Sequence, residues 1–347
     1  MRVLHSPLNI ANDGWSLSRG QRELGAHADL ATTSGTIFGG APDIDLAFAD
    51  RGRLSRQLAK AAFVRRALRE YDVFHYAFAS SILDYGEGAF ELMDLRWAHR
   101  RGKCVAMTLH GCDVRPARPG GCDLCSAACD AGRAARRLDK MRQWVDLLYV
   151  TTPDLLAAMP EARLLPASVW GLAATEIHPP RTEGPLRVVH APSDRVIKGT
   201  AALVSAVDSL RGEGMDIELT LIEGVPRDKA LELYRSADVG VDQLRVGWYG
   251  VFATEIAAMG KPVVTSIAPE HVAASGLAAP TFSAADESSV RDVLRDLAHR
   301  RLELPEMGMR ARAFVLERHD ALANARRVMA DYADVCGRRA GIAPSPR

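Results

Sequence analysis

The sequence predicts an α/β protein built from two Rossmann-like domains, and three observations support this. The chain has 347 residues, a length at which two hydrophobic cores are more common than one. Its first half alternates short apolar runs with helical stretches, as parallel strands joined by crossover helices do. The same alternation starts again after an aperiodic, proline-containing segment near 173–185.

The first domain is predicted to span 1–175. Its strand candidates are short apolar runs at 2–5, 27–32, 71–78, 104–110 and 146–152. A helix is predicted at 51–70, because Leu54, Leu58, Ala61 and Leu68 recur at helical spacing and would pack on the sheet. This helix is strongly basic, which indicates a solvated face; contact with an anionic membrane surface is the alternative.

The second domain is predicted to span 186–317. Its strand candidates lie at 186–192, 217–224, 237–244 and 261–267, with helices around 199–212, 227–236 and 250–259. From Ser288 to Arg339 the pattern is almost continuously helical, with a break at Pro305.

Composition excludes several classes of protein. The 44 Lys and Arg residues against 43 Asp and Glu residues leave a net charge of +1, so the field typical of a nucleic-acid-binding protein is missing. No apolar run approaches the roughly 20 residues that span a bilayer, and the first residues do not resemble a signal peptide. We therefore expect a cytoplasmic protein whose six cysteines are reduced, with Cys104 and Cys336 isolated and packed.

The segment at 190–200 has the features of a phosphate cradle. It runs from a strand through Ser193 to two cations, Arg195 and Lys198, and Gly199 opens the next helix. Amide groups at a helix N-terminus attract an anion, and a nearby cation adds full charge. An ordinary turn with surface cations is the alternative interpretation.

A second segment, at 241–264, runs from a strand through a turn to a helix and a further strand. Gly247 and Gly250 in the turn permit close approach of the backbone to a ligand. Glu255 lies in the predicted helix, where its carboxylate could accept hydrogen bonds from ribose hydroxyls. An exposed helical glutamate is the alternative.

Together these segments resemble the C-terminal domain of the retaining glycosyltransferases of family 4, which have the GT-B fold. The family hallmark reads Glu, seven residues, Glu, and then small residues ending in Gly-x-Pro-Val-Val. Glu255 and the following AAMGKPVV match it, as do Tyr249 and Gly250. Lys198 matches the lysine with which the family holds the donor diphosphate.

The sequence departs from the family pattern at two positions. Gly247 stands where the family has its first glutamate, and Ser193 stands where it usually has an arginine. Arg195 is expected to supply the second positive charge from a shifted position.

The resemblance extends to the first domain, where the family has a glycine-containing loop after its first strand. The segment 9–20 occupies that place, and TLHG at 108–111 ends a strand with a histidine where many members have one near the sugar. A histidine at a strand's carboxyl end favours a functional role over a structural one. The acceptor is expected near Asn12, Asp13, Gly14, His110 and Asp113.

The resemblance implies two Rossmann-like domains facing an interdomain cleft, with a helix at 318–340 that crosses back to the first domain. It implies a retaining transfer of sugar from a nucleotide-diphospho-sugar, with UDP-sugars favoured, to a small-molecule or glycan acceptor without a catalytic metal ion. The catalytic residues would be His110, Arg195 and Lys198. The donor-binding set would be Ser193, Gly199, Glu223, Gly247, Tyr249, Gly250, Val251 and Glu255.

Two other functions stay open. A sugar-nucleotide-binding protein without transferase activity would fit the glycine at position 247, which removes one hallmark carboxylate. A transferase to a thiol-bearing or anionic small molecule would fit the cysteines that follow His110.

These cysteines lie in a segment, 112–129, that is rich in Gly and Pro and cannot bury much apolar surface. Four thiolates around Zn²⁺ would order it, and C-x2-C is a usual arm of a zinc site. The ligands of this expected structural zinc are Cys112, Cys122, Cys125 and Cys129. Thiols without metal, an iron–sulfur cluster and a redox disulfide are the alternatives.

Overall fold

The computed structural model describes residues 1–34, 40–84, 90–117, 122, 124 and 129–340. The chain forms two compact units, each with its own parallel sheet. Unit 1 contains Met1–Cys122, Cys129–Trp170 and the segment from Asp320 onward, and unit 2 is formed chiefly by Gly171–His319. The predicted α/β class with two parallel sheets is confirmed.

Unit 1 has seven strands and five helices among its described residues. The strands are β1 (Arg2–Ser6), β2 (His27–Thr32), β3 (Ile44–Asp45), β4 (Val73–Ala77), β5 (Cys104–Leu109), β6 (Leu147–Val150) and β7 (Arg163–Leu164). The helices are α1 (Asp13–Glu23), α2 (Arg53–Glu70), α3 (Met93–Arg100), α4 (Ala131–Arg142) and, at the end of the chain, α12 (Ala321–Ala340).

The sheet of unit 1 has the order β3-β2-β1-β4-β5-β6-β7, with parallel pairing such as Val3 opposite Ala28 and Val73. All six residues of β5 are buried, because helices cover both faces of a parallel sheet. The strand order reverses between β1 and β4, and ligands of open α/β sheets bind at such a switch point, beyond the carboxyl ends of the strands.

The C-terminal helix α12 belongs to the core of unit 1. Ala325, Val328 and Tyr332 lie in one buried cluster with Leu17 of α1. Gly20 of α1 faces the backbone of Ala321 so closely that a β-carbon there would collide with its carbonyl group. Glycine at this position therefore permits α1 and α12 to pack together.

The expectation that Cys104 and Cys336 are isolated, reduced residues is wrong. Cys104 at the start of β5 and Cys336 in α12 form a disulfide with a Cα–Cα distance of 5.4 Å. Both residues are buried, but they are neither isolated nor reduced. The disulfide ties α12 to the central part of the sheet.

The expected apolar stripe of α2 is only partly correct. Leu68 is buried, whereas Leu54 and Leu58 are 75% and 63% exposed. The buried positions of α2 lie in its second half, from Phe63 onward. The packing of α2 therefore rests on that half, and the basic first half faces solvent.

Unit 2 has five strands and seven helices among its described residues. The strands are β8 (Leu186–His190), β9 (Ile217–Leu221), β10 (Val239–Val241), β11 (Val263–Thr265) and β12 (Phe282–Ser283). The helices are α5 (Arg195–Lys198), α6 (Thr200–Gly212), α7 (Arg227–Ser236), α8 (Val251–Ala258), α9 (Pro269–Ser275), α10 (Glu287–His299) and α11 (Leu304–His319). The sheet order is β12-β11-β10-β8-β9, all parallel.

The helical tail is interrupted before the predicted proline. α10 ends at His299, and Pro305 lies in the first turn of α11, where its missing N–H has no intrahelical role. Short 3₁₀ turns lie at Ile10–Asn12, Arg115–Ala117, Pro153–Ala157, Leu172–Ala174 and Arg301–Glu303. Within the described ranges, no helix is both long enough and apolar enough to cross a membrane.

Candidate functional site

Two loops of unit 2 meet where its sheet changes direction. One loop follows β8 and leads into α5, and the other follows β10 and leads into α8. Because β8 and β10 are parallel neighbours, both loops leave the same edge of the sheet. This is the position at which doubly wound sheets bind ligands.

An ion pair joins the two loops. Lys198 Nζ donates a hydrogen bond of 2.6 Å to Asp242 Oδ1, and the amide of Gly250 donates one of 2.6 Å to Asp242 Oδ2. Both charged side chains are buried. A β-carbon at Gly250 would lie 3.4 Å from Lys198 Nζ, so the ammonium group lies beside the N-terminus of α8, whose helix dipole also favours an anion.

The turn before Lys198 is fixed by a short-range cap and by a glycine. Asp194 accepts hydrogen bonds from the amides of Val196 and Ile197, at 2.8 and 2.9 Å. Gly199 has φ +71°, and a β-carbon there would lie 2.9 Å from Leu244 Cβ. The left-handed conformation and the close approach both require glycine, and they set Lys198 toward Asp242.

Arg195, the second predicted cation, lies on the surface. It forms a two-point ion pair with Glu223, with Nε donating to Oε1 at 2.9 Å and a further contact from its terminal nitrogen to Oε2. Hydrogen bonding to Arg195 lowers the pKa of Glu223. The structure thus brings two predicted donor residues together, with the positive charge of Arg195 already neutralised.

The position of the missing family glutamate is crowded. Gly247 has φ +75°, and a β-carbon there would lie 2.9 Å from Ala268 Cβ and 3.0 Å from the ring of His271. Its carbonyl accepts hydrogen bonds from the amide of Ala268 at 2.9 Å and from His271 Nδ1 at 2.8 Å. A side chain at position 247 would therefore be strained and would require Ala268 or His271 to move.

Tyr249, a predicted donor-binding residue, is buried. Its side chain is 4% exposed, its hydroxyl is hydrogen-bonded to His319 Nε2 at 2.9 Å, and its ring contacts Phe314 edge to face. The side chain of Tyr249 therefore packs within unit 2, and its predicted place in the donor-binding set stays a prediction.

The other predicted donor residues lie around the same loops. Ser193 is exposed between β8 and α5, Val251 is the first residue of α8, and Glu255 is half-buried on that helix. The structure brings together Lys198, Gly199 and Gly250.

Two residues of this site were missed by the sequence analysis. One is Asp242. The other is His190, whose Nδ1 donates to the carbonyl of Val241 at 2.7 Å and whose Nε2 accepts from Thr200 Oγ1 at 2.9 Å. Burial lowers the pKa of His190, so the ring is neutral at pH 7 and joins the ends of β8 and β10 to α6. Both residues could have been found from the sequence, because His190 ends an apolar strand and Asp242 directly follows one.

A small pocket of unit 1 lies at the carboxyl ends of β1, β4 and β5. His110 and Asp13 lie in it with buried side chains, and His110 Nε2 is 4.0 Å from Asp13 Oδ2. The lining residues are His5, Ser6, Leu8, Asp13, Gly14, Leu17, His75, Tyr76, Ala77, Thr108 and His110. Three of the five predicted acceptor-side residues are therefore together.

Burial sets the ionisation of this pocket. It raises the pKa of Asp13 to about 6, although Asp13 accepts a hydrogen bond from the amide of Ser168 at 2.6 Å. It lowers the pKa of His110 to about 4. His110 is therefore neutral at pH 7, while Asp13 changes charge close to neutrality.

Asn12 and Asp113 hold the loops around this pocket. Asn12 has φ 63° and accepts hydrogen bonds from Asn9 Nδ2 at 3.0 Å and from the amide of Gly40 at 3.2 Å. Asp113 accepts from the amides of His110 and Gly111, and burial raises its pKa to about 6. Both side chains are therefore engaged with backbone or neighbouring side chains.

The pocket also contains polar groups that the sequence analysis missed. His75 is hydrogen-bonded to Tyr332 at 2.6 Å and to Thr108 at 2.7 Å, and His5 to Gln21 at 2.7 Å. Among the described residues, no partner lies within hydrogen-bond distance of Ser6 Oγ. A buried hydroxyl of this kind is usually paired, so it is available to a polar ligand.

The predicted zinc ligands are only partly described. Cys112 and Cys129 are exposed and Cys122 is half-buried, while Cys125 lies outside the described residues. The guanidinium of Arg115 lies near Cys112 and Cys122, and it is held by Asp154 at 2.7 Å. The zinc site stays a prediction.

Sequence comparisons give no match: no protein-family model and no curated protein matches this chain.

Solved structures, in contrast, match over almost the whole length. Sucrose-phosphate synthase from Thermosynechococcus elongatus has a TM-score of 0.63 at 14% identity, covering 96% of this chain and 98% of that one. HepE from Anabaena, solved with UDP and glucose, has a TM-score of 0.61 at 10% identity, covering 96% and 99%. A glycosyltransferase from Rickettsia africae has a TM-score of 0.61 at 11% identity, covering 96% and 97%. The chain has the GT-B fold of these proteins.

Proposed function

We propose that the protein is a glycosyltransferase whose unit 2 binds a nucleotide-diphospho-sugar. The observation that carries the proposal is the buried ammonium of Lys198 beside the N-terminus of α8, at the switch point of the sheet. The ammonium group donates one hydrogen bond to Asp242 and has two further N–H donors, which together with the dipole of α8 suit a diphosphate. UDP-sugars are the favoured donors, because HepE, which shares the fold, was solved with UDP and with UDP-glucose.

In this proposal, Lys198 stabilises the charge that develops on the leaving diphosphate as the bond to the sugar breaks. Asp242 holds the ammonium group in place and orients the first amide of α8. Preorganised charge of this kind typically contributes several kcal/mol to barrier lowering. Retention of configuration and membership of family 4 belong to the same proposal and rest on Lys198, Glu255 and the GKPVV run.

The acceptor would be a hydroxyl-bearing small molecule or glycan whose reacting hydroxyl enters the small pocket of unit 1. Asp13 can accept a hydrogen bond from the reacting hydroxyl, and neutral His110 and Ser6 Oγ offer further polar partners. Among the residues that the structure describes, no Lys or Arg lines this pocket, which favours a neutral acceptor over an anionic one.

The first experiment is a thermal-shift screen of UDP-, GDP-, ADP- and TDP-sugars, followed by mass spectrometry of the products. A glycosyltransferase is stabilised by one donor and releases its nucleoside diphosphate, by slow hydrolysis or by transfer. Stabilisation without any turnover would indicate the alternative, a sugar-nucleotide-binding protein. Stabilisation by none of the donors would contradict both.

The rate of sugar transfer should depend on pH through the ionisation of Asp13. Because its pKa is raised to about 6, its carboxylate is mostly protonated at pH 5 and mostly ionised at pH 7. We expect kcat/KM for the acceptor to rise about tenfold over this interval, and Asp13→Asn to be slower and independent of pH. The matched control is Asp113→Asn, because Asp113 has a similar pKa but contacts the backbone. If the control alone loses the pH dependence, Asp13 is not the titrating group.

Glu255 is proposed to contact the donor ribose. Glu255→Gln keeps the size of the side chain and removes its charge, so nucleotide affinity should fall several-fold while the melting temperature without ligand stays nearly unchanged. Calorimetric titration with UDP and a thermal melt check this. A large loss of stability with unchanged affinity would show that Glu255 is structural.

The zinc prediction is tested by elemental analysis of the purified chain. If Cys112, Cys122, Cys125 and Cys129 hold zinc, about one zinc ion should be present per chain, and replacing all four with serine should remove it. Chelation that leaves this zinc in place should not affect activity, because the zinc orders the segment and takes no part in transfer. A metal-free chain of full activity and stability would contradict the prediction.

A further inference from the structure

The disulfide of unit 1 lies at the edge of the sheet opposite to the acceptor pocket. Cys104 is the first residue of β5, and Asp146 directly precedes β6, so both lie at the amino ends of neighbouring parallel strands. Cys336 reaches them from α12. β5 alone separates Cys104 from the carboxyl edge by about 17 Å, at the usual rise of a strand.

The two sulfur atoms and one carboxylate oxygen of Asp146 lie within 4.8 Å of one another. Cys104 and Cys336 are 0% and 1% exposed, and Asp146 Oδ2 accepts a hydrogen bond from the amide of Val105 at 2.9 Å. His99 Nδ1 lies 3.6 Å from the other carboxylate oxygen, Oδ1. A half-buried carboxylate, held by a backbone amide and close to an imidazole, therefore lies beside both sulfur atoms.

We infer that Cys104, Cys336 and Asp146 form a redox-dependent metal site: as a disulfide the site is closed, and as a thiol pair it binds a thiophilic divalent cation such as Zn²⁺. Two thiolates and a carboxylate are three of the four ligands that tetrahedral zinc takes. His99 is not a member of this group of atoms, so we assign the fourth position to a water molecule.

The backbone geometry suits both states. Zinc–sulfur bonds of about 2.3 Å in a tetrahedral site place two sulfur atoms about 3.8 Å apart. The Cα–Cα distance of 5.4 Å allows this separation through rotation of the two cysteine side chains. Metal and disulfide would then have the same mechanical result, which is to hold α12 on the sheet of unit 1.

Reduction of the Cys104–Cys336 disulfide by a phosphine converts the closed site to the thiol pair. The disulfide takes two electrons from the phosphine, which becomes a phosphine oxide with oxygen from water, and two protons complete the thiols. Binding of Zn²⁺ then releases both thiol protons, so metal affinity should increase with pH.

The experiment uses the full chain with Cys112, Cys122, Cys125 and Cys129 replaced by serine, so that the cysteine-rich segment takes up no metal. Zinc is titrated against a chromophoric chelator, with and without a phosphine reductant. We expect one zinc ion per reduced chain and none per oxidised chain. Cobalt in place of zinc should give the near-ultraviolet charge-transfer band of thiolate ligands in the reduced chain only.

Two variants in the same background sharpen the test. Asp146→Asn should form the disulfide normally but lose at least about tenfold in zinc affinity, since even outer partners of metal ligands contribute that much. Cys336→Ser should form neither disulfide nor metal site. A reduced chain that takes up no zinc, or an Asp146→Asn chain that binds it as tightly as its parent, would overturn the inference. If the serine background does not fold, the reduced natural chain is compared with its own Asp146→Asn variant, in which the cysteine-rich segment is unchanged. Zinc affinity at least about tenfold lower for one ion in the variant supports the inference, and equal zinc binding by the two chains contradicts it.

Discussion

Lys198→Met should lower the turnover at saturating donor by about 10²-fold, an increase in the barrier of roughly 3 kcal/mol. The methionine keeps most of the apolar stem and removes the charge that lies beside α8. If the charge stabilises the leaving diphosphate more in the transition state than in the bound donor, turnover should fall by more than donor affinity. Steady-state kinetics at saturating donor, with UDP affinity measured by calorimetry, separates the two effects.

The same substitution also removes the partner of a buried carboxylate. Among the described residues, Asp242 would keep the amide of Gly250 as its partner, and an unpaired buried charge typically costs about 3–5 kcal/mol. The double variant Lys198→Met/Asp242→Asn removes both charges and should recover most of this stability without recovering turnover. Arg195→Met is the matched surface control, since Arg195 is exposed and paired with Glu223. Its defect should be smaller; a larger one would show that Arg195 is the principal cation.

Asp242→Asn is expected to lower both stability and turnover, while it increases the stabilisation of the protein by UDP. The variant leaves the buried ammonium of Lys198 without its counter-charge, so the free energy of unfolding should fall by about 3 kcal/mol. A diphosphate can supply the missing negative charge, so UDP should raise the melting temperature of this variant more than that of the natural chain. Turnover should still fall at least tenfold, because Lys198 is no longer held in register with α8.

Glu223→Gln is the control for this prediction, because it removes a carboxylate from the exposed pair with Arg195. Surface pairs contribute little to stability, so its melting temperature should hardly change. If Asp242→Asn also leaves the melting temperature unchanged, Asp242 does not anchor Lys198. If UDP binding and turnover fall in proportion, Asp242 acts on binding and not on the position of the ammonium group.

Local patterns were sufficient to predict most strands and the loops that carry the site. The β-strands at 2–6 and 27–32 and the helix at 227–236 follow from apolar periodicity and flanking turns. Lys198 and Gly250 were found because each lies at the end of a short motif. Such features depend on residues that are neighbours in the chain, so they can be recognised from the sequence alone.

Long-range contacts could not be predicted in this way. Asp242 and Lys198 are 44 positions apart, and their pairing depends on the adjacency of β8 and β10, which the order of strands along the chain does not specify. The Cys104–Cys336 disulfide spans 232 positions and depends on α12 returning to unit 1. The hydrogen bond between Tyr249 and His319 joins residues 70 positions apart, and no sequence motif connects them. In each of these cases the surroundings of the residue are formed by an element that is distant in the sequence. The local segment around the residue does not show which element that is.

The central claim is that Lys198 forms the binding site for the diphosphate of the donor. It is tested most directly by calorimetric titration of UDP into the natural chain and into the Lys198→Met/Asp242→Asn double variant, which is expected to fold and carries neither charge of the pair. We predict saturable binding of one UDP per natural chain and at least tenfold weaker binding by the double variant. Equal affinity of the two chains, or failure of the natural chain to bind UDP, GDP, ADP or TDP, would contradict the claim.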